Sequence, residues 1–530
     1  MAVKFFPILF FFSLLANIAR CQGTASVESH QCLGGGLVED FSSVIETSDG
    51  GLLMVGVTQS NDGNVSGNHG HADLWVVKLS AARTIEWQKC LGGSQDESRG
   101  GVIETSDGGF VIAGFTTSND GDVHGLHGIR NYADAWVVKL SSTGTILWQH
   151  CYGGSGVDEA VSIVASPDGG MLFVGVTDSY DGDVSGVHGA SDIWVVKLSS
   201  SGQLQWQRCY GGVYEEEVGR VITTRDGGYA IVGTTNLLNV DPNDHRSADA
   251  IVLKLNSVGD LEWQSILGAQ GGDWGLSIAQ TNDDGFVMVG YTINSSFDTA
   301  AYLGGDDGWV VKLDAAGTMV WQRCYGGKGQ DIFRSVIESS DGDLVVLGDT
   351  GSSDGDVVPL HTQNTDLWLL KLSPTGDIRA RQCFGGASIE YAGQVIQTTD
   401  GKFVVGGVTQ SYDGVCSDNH GYQDIWLATV AITARQSVGA DAVGDGAITT
   451  VIPNPVMAST TLSYDLSTFG HVEIDLINAI GQRVKLLSDR DEERGKHSIE
   501  IDCRDLPDGV YSAEIRTSTG IETAKFVVLK

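Results

Sequence analysis

Residues Ser106–Gly154 read SDGGFVIAGFTTSNDGDVHGLHGIRNYADAWVVKLSSTGTILWQHCYGG, and the chain from about residue 30 to 430 falls into the same frame. The Asp of an Asp-Gly turn recurs at Asp49, Asp107, Asp168, Asp226, Asp283, Asp341 and Asp400, in steps of 58, 61, 58, 57, 58 and 59 residues. A second marker, the Trp of W-V-V-K-L, recurs at Trp75, Trp136, Trp194, Trp309, Trp368 and Trp426, with Ile251 in the remaining slot. Two markers on one period define a repeat. A period of this length without helical patterning points to a radial array of small sheets.

One unit carries four short strands. Strand A is predicted over Val161–Ala165, and Pro167-Asp168-Gly169-Gly170 follows as a tight hairpin turn. Strand B is predicted over Met171–Thr177, strand C over Ile193–Leu198 and strand D over Gln203–Cys209, after a turn at Ser200–Gly202. β-Branched and aromatic residues dominate B and C, which reads as strands buried on both faces.

The units number seven, but strand D is complete only six times, ending at Cys90, Cys151, Cys209, Ile266, Cys324 and Cys383. The missing copy stands at the beginning, as Ala25–Cys32 (ASVESHQC) followed by Leu33-Gly34-Gly35. This strand is expected beside Ile425–Val430, where it removes an open edge. The fold class that follows is all-β, a seven-bladed β-propeller closed by an N-terminal strand and followed by a small C-terminal β-sandwich.

Six of the nine Cys lie in phase at a position where Ile266 also serves, so they read as packed thiols. Cys416 lies off-phase, and its pairing with Cys32 stays open. Eleven of the twelve Trp lie in phase and read as packing between blades. Trp274 is the exception, expected in a loop between strand D and the next strand A and a candidate ligand platform.

The 530 residues carry 32 Lys and Arg against 67 Asp and Glu, a net charge of −35. That balance argues against nucleic acid or anionic lipid as a partner. Met1–Cys21 has a basic start at Lys4, an apolar run over Phe5–Ala16 and a cleavage site at Ala19-Arg20-Cys21, as a secretory leader requires. No other apolar run is long enough to span a bilayer, so no transmembrane segment is expected in the mature chain. The resulting organisation is a leader over 1–21, the repeat array over 22–430, a Gly/Ala/Ser/Thr-rich linker over 431–450 and a second module over 451–530.

Antiparallel strands sort the loops. The A–B and C–D turns share one rim, while the longer B–C and D–A loops gather on the other, where function is expected. The best B–C loops present Asp62, Asn64 and Asp73; Asp120, Asp122 and Asp134; and Asp181, Asp183 and Asp192, with His69, His127 and His188 between them. Hard oxygens around a Gly turn suit calcium, the one candidate cofactor, although the closing bidentate Glu of an EF-hand is missing. The competing reading is a turn network in which these side chains cap backbone amides. The D–A loops Gly92–Glu97, Gly153–Glu159 and Gly211–Glu217 concentrate further acid, and their recurrence argues for structure over a single catalytic site.

The x-G-G-S-x-x-x-E and T-x-D-G-G-[FY]-x-[VI]-x-G-x-T signature resembles seven-bladed propeller repeats of secreted Bacteroidetes proteins. The run Lys139–Trp148 (KLSSTGTILW) looks like the tryptophan motif of quinoprotein dehydrogenases, which are usually eight-bladed and use an adjacent cysteine pair, features this chain lacks. Past residue 450, Pro453-Asn454-Pro455, Val472-Glu473-Ile474, Asn478–Gln482, Gly495-Lys496-His497 and Leu506–Tyr511 closely resemble the type A C-terminal sorting domain of the type IX secretion system. That resemblance implies export through the type IX machinery, removal of the domain, and release or attachment at the cell surface. The expected function is a secreted or surface-attached, non-enzymatic protein that binds glycan or protein through the loop-rich rim. The alternative is a secreted glycoside hydrolase or quinoprotein-like enzyme with its site at the channel mouth. No nucleophile elbow, phosphate loop or zinc-protease helix is present to favour it.

Overall fold

The computed structural model describes residues 24–127, 132–236, 248–268, 271–293, 304–361 and 364–433, and most of 450–528. The expected leader, residues 434–449 of the linker, and the centres of the two divergent B–C loops lie outside the described residues, as does the Cys416 side chain. The chain divides into two compact units, Met1–Ala434 and Arg435–Lys530.

The described residues of the first unit contain seven four-stranded antiparallel sheets, numbered here 1 to 7 along the chain. Six of them order their strands as the sequence does, A-B-C-D; in sheet 3 these are Asp158–Ala165, Met171–Thr177, Asp192–Leu198 and Leu204–Tyr210. Strand B matches the expected span, strand C begins one residue sooner, and strand A begins three residues sooner, at its buried Asp158. Sheet 7 takes A, B and C from Glu390–Gln397, Phe403–Thr409 and Asp424–Thr433, and its fourth strand is Thr24–Leu33. Cys32 stands opposite Trp426 and Thr24 opposite Thr433. The last strand C therefore runs three residues into the stretch read as linker, because the N-terminal strand is long enough to pair with it.

Why these residues make these sheets is visible in their burial. Strands B and C are covered on both faces, and all six marker tryptophans from Trp75 to Trp426 are fully buried. Four of them donate Nε1–H to a strand D Gln of the same sheet, as Trp75 does to Gln88 Oε1 at 2.8 Å. In sheet 6 Arg381 stands at that Gln position, and the buried Trp368 Nε1 is left without an acceptor. The strand D tryptophans reach to the next sheet instead: Trp87 donates to Ser142 O at 3.2 Å and lies over Gly144, where φ of +78° and the indole 3.0 Å from any added Cβ both favour Gly. Adjacent sheets share cores, and one such core joins Val404, Ile425 and Leu427 of sheet 7 to Val44, Met54 and Trp75 of sheet 1. The in-phase thiols sit in these layers, and burial pushes those of Cys90, Cys151, Cys209 and Cys383 up to about 12.

The second unit has a three-stranded sheet with Thr450–Ile452, Ser459–Leu466 and Gly495–Asp502, and a four-stranded sheet with Arg483–Glu492, Gly470–Asn478, Gly509–Thr517 and Gly520–Val528. One core serves both, with Leu462 and Ile501 from the first sheet and Ile474, Leu476 and Ile515 from the second.

Candidate functional site

The turn-bearing end of the array is stapled shut. In sheets 1 to 6 the Asp of the repeated Asp-Gly turn accepts from the Lys of the strand C marker in the same sheet, as in Lys78–Asp49 at 2.9 Å, Lys197–Asp168 at 2.9 Å and Lys254–Asp226 at 2.8 Å. Lys78 and Lys197 are almost wholly buried, and their ammonium groups also donate to Leu79 O and Leu198 O. Hydrogen bonds from Thr47 and then Lys78 hold the Asp49 carboxyl down at about 2. The sequence carries this signal, a Lys 28 to 32 residues after six of the seven turn Asp, although the pattern alone does not pair them.

At the opposite end each strand A begins at, or directly after, a buried carboxylate. Glu97 accepts from Thr116 Oγ1 at 2.6 Å and from Gly93 N at 2.9 Å, and burial pushes its pKa up to about 6. Glu216 accepts from Gly212 N and Thr235 Oγ1, both at 3.0 Å, and burial raises it to about 7. Glu97 and Glu216, two acids of the D–A loops, thus end at the edge of the core.

The nine residues expected to gather calcium are dealt out to separate partners. Asp62, Asp120 and Asp181 accept the backbone amides of Gly36, Ser94 and Ser155 at 2.7, 2.8 and 2.7 Å. Asn64, Asp122 and Asp183 turn to the amides of Gly34, Gly92 and Gly153. Asp73, Asp134 and Asp192 are fully buried, and each holds a histidine Nδ1, those of His69, His127 and His188, at 2.6, 2.7 and 2.6 Å. Among the described residues no group of three or more His, Cys, Asp or Glu has metal-holding geometry. The hydrogen bonds as folded are those of the competing reading, in which each B–C loop caps the loop that leads into its own sheet.

Trp274 needs a correction of place. It is the second residue of strand A in sheet 5, Asp273–Gln280, and no part of a loop. Its register partner is Tyr291, and the two rings stack with centroids 4.6 Å apart and planes 4° from parallel. Both rings are half-buried. The seven strands A line a cavity of about 800 Å³, with Ser43, Ser162, Arg220, Leu276, Arg334 and Gln394 among its walls. A smaller recess between Asp40, Ser98, Arg334 and Tyr391 lies at the loop-bearing end of these strands. Arg334 donates Nε–H to the buried Asp349 at 2.5 Å, and Asp349 also takes Ala392 N. These asymmetric residues, rather than the repeated loops, mark out one part of the array from another.

Residues 450–529 match the model of a secretion system C-terminal sorting domain. A type IX sorting domain is therefore present. Such domains mark proteins exported by the type IX secretion system, which places this protein at the cell surface or in the extracellular space. No curated protein matches the chain. Solved structures similar to it include a fungal alcohol oxidase of the AA5 family in complex with copper, at 12% identity over 96% of this chain and 100% of that chain, with a TM-score of 0.42. PorZ, a surface component of the type IX secretion system of Porphyromonas gingivalis, is 12% identical over 94% of this chain and 60% of that chain, with a TM-score of 0.39. A member of the duf4221 family from Bacteroides vulgatus is 8% identical over 64% of this chain and 98% of that chain, with a TM-score of 0.32. At these scores the likeness carries no argument, and the activities of those proteins stay with them. Among the described residues no helix is long and apolar enough to cross a membrane.

Proposed function

We propose that the seven sheets close as a seven-bladed β-propeller, exported through the type IX machinery, that binds glycan or protein ligands at its loop-bearing rim without catalysing a reaction. The observation that carries this reading is the Trp274–Tyr291 stack. Every other tryptophan of the array lies at a repeat position given to packing, whereas this pair departs from the repeat and keeps part of both rings accessible. A flat aromatic pair holds its orientation at little entropic cost and offers a surface for the C–H face of a sugar ring or for an apolar side chain. The buried carboxylates support a non-catalytic reading, because they recur at successive sheets and accept from hydroxyls and backbone amides of their own loops.

A glycan array probed with the full chain tests this. Binding to a restricted set of glycans, lost in Trp274→Ala at unchanged melting temperature, is the expected result. Equal binding by Trp274→Ala, or turnover of a bound glycan, would overturn the reading.

A further inference from the structure

Along the cavity wall, a side-chain oxygen one residue before the core position of strand A accepts a backbone amide from the next sheet. Gln394 takes Val44 N at 3.0 Å, Ser162 takes Val221 N at 3.3 Å, Ser277 takes Val336 N at 3.4 Å, and Ser335 takes Val395 N at 3.2 Å. Four junctions between neighbouring sheets are thus bridged by the same kind of bond. In sheet 4 this position is Arg220, immediately before the core residue Val221. A guanidinium has five donors and no acceptor, so it cannot take part in the belt.

Arg220 lines the cavity and makes no hydrogen bond or ion pair with a described residue, which the other cavity arginines do. Arg334 is neutralised by Asp349, and Arg225, towards the turn-bearing end, by Asp284 at 3.1 Å. Burial presses the pKa of Arg220 down. Arginine keeps its proton regardless, so the wall carries an uncompensated, partly desolvated positive charge inside a protein of net charge −35. Leaving such a charge without a counter-charge is costly, and a planar two-oxygen anion is the partner that fits its fork.

We propose that Arg220 is an anion site in the cavity, receiving a carboxylate or sulfate group carried by the ligand that docks at the mouth. The assignment deepens the reading of the rim as a binding surface and rests on it for the identity of the natural ligand, but the site itself answers to small anions. Equilibrium dialysis of the full chain against radiolabelled inorganic sulfate, with chloride holding ionic strength constant, reads it directly. Wild type is expected to take up one sulfate per chain, Arg220→Gln to bind at least tenfold more weakly, and Arg220→Lys to fall between, since it keeps the charge and loses the fork. Melting temperatures of the variants check that the fold survives.

Galacturonate and galactose separate a sugar acid from a sugar: competition with sulfate by the acid alone supports the site, and competition by both sugars equally counts against it. Trp274→Ala should leave sulfate uptake intact. No saturable sulfate uptake in wild type, or uptake unchanged in Arg220→Gln, overturns the proposal even if the glycan array succeeds. A failed array with Arg220-dependent sulfate uptake would instead remove the rim reading and leave the anion site standing.

Discussion

Sheets 1 to 6 are each made from one continuous stretch, while sheet 7 is assembled from residues at both ends of the array. The difference extends to how the turn-bearing end is held. Sheets 1 to 6 use the buried Lys to turn Asp pair, from Lys78–Asp49 through Lys371–Asp341. In sheet 7 Thr429 stands where that Lys would be, and Asp400 accepts only from Thr398 Oγ1 and Lys402 N among the described residues. Lys402, in the turn before strand B, pairs with Glu28 of the N-terminal strand at 2.8 Å. Glu28 lies at the register shift between Val27 and Ser29, a bulge that sets it apart from the ladder. A bond that tied each sheet to itself has been exchanged for one that ties the chain's beginning to the array's end.

The largest blow to this comparison is removal of residues 24–33. It would uncover fully buried Trp426 along an open edge and is expected to cost on the order of 5 kcal/mol in burial and ladder hydrogen bonds. Calorimetry and size-exclusion chromatography should show a much lower melting temperature and self-association through the exposed strand. A variant that melts like wild type would mean the first strand contributes nothing to sheet 7.

A smaller effect sharpens the contrast between the two ends of the strands. The folded chain holds Glu216 protonated up to about pH 7, against an ordinary value of 4.5, so burial makes ionisation cost stability. Stability from this group is fully present below about pH 4.5 and is lost as pH rises through about 7, by roughly 3 kcal/mol at most. The turn aspartates run the other way, Asp49 losing its contribution as pH falls below 4 through about 2. Urea midpoints between pH 4.5 and 8 should therefore decline with pH, and Glu216→Gln should decline less. An identical slope in that variant would locate the pH dependence elsewhere.

The smallest effect compares the two kinds of tie. Lys197→Met removes a buried cation and its bond to Leu198 O, and is expected to cost about 1–2 kcal/mol, since half of Asp168 already faces water. Lys402→Met breaks an exposed, solvent-screened pair and should cost less than that. Chemical denaturation at constant m-value reads both. If Lys402 proves the costlier loss, the clasp across the ends outweighs the staples within sheets.

What could be read in advance depended on whether a residue's role was local. Strands B and C carry their own signal, an apolar run between turn glycines, and Met171–Thr177 was delimited to the residue. The N-terminal strand was legible by counting, because a missing copy in a periodic array must be supplied from somewhere. Strand A was placed three residues late because its first residue is a buried acid, which reads as loop until Thr177 and Gly154 are seen to satisfy Asp158. Trp274 was assigned to a loop for the same reason, standing directly after such an acid. In the Asp-Gly-Asp loops the sequence shows the oxygens, whereas the amides of the adjoining loop that they accept appear only in the fold. Arg220 does not stand out in the sequence, since what distinguishes it is the lack of a side-chain partner among the described residues, a fact that exists only once all seven inner strands are in place.

The pairing of Cys32 with Trp426 carries a consequence for timing. The amide of Cys32 bonds to Asp418, 386 residues further along, so the segment synthesised at the outset waits for nearly the whole array before it has anywhere to lie. Contacts so distant in sequence form late and slowly. Sheet 7 can therefore be completed only after the strands at the far end of the array have been made.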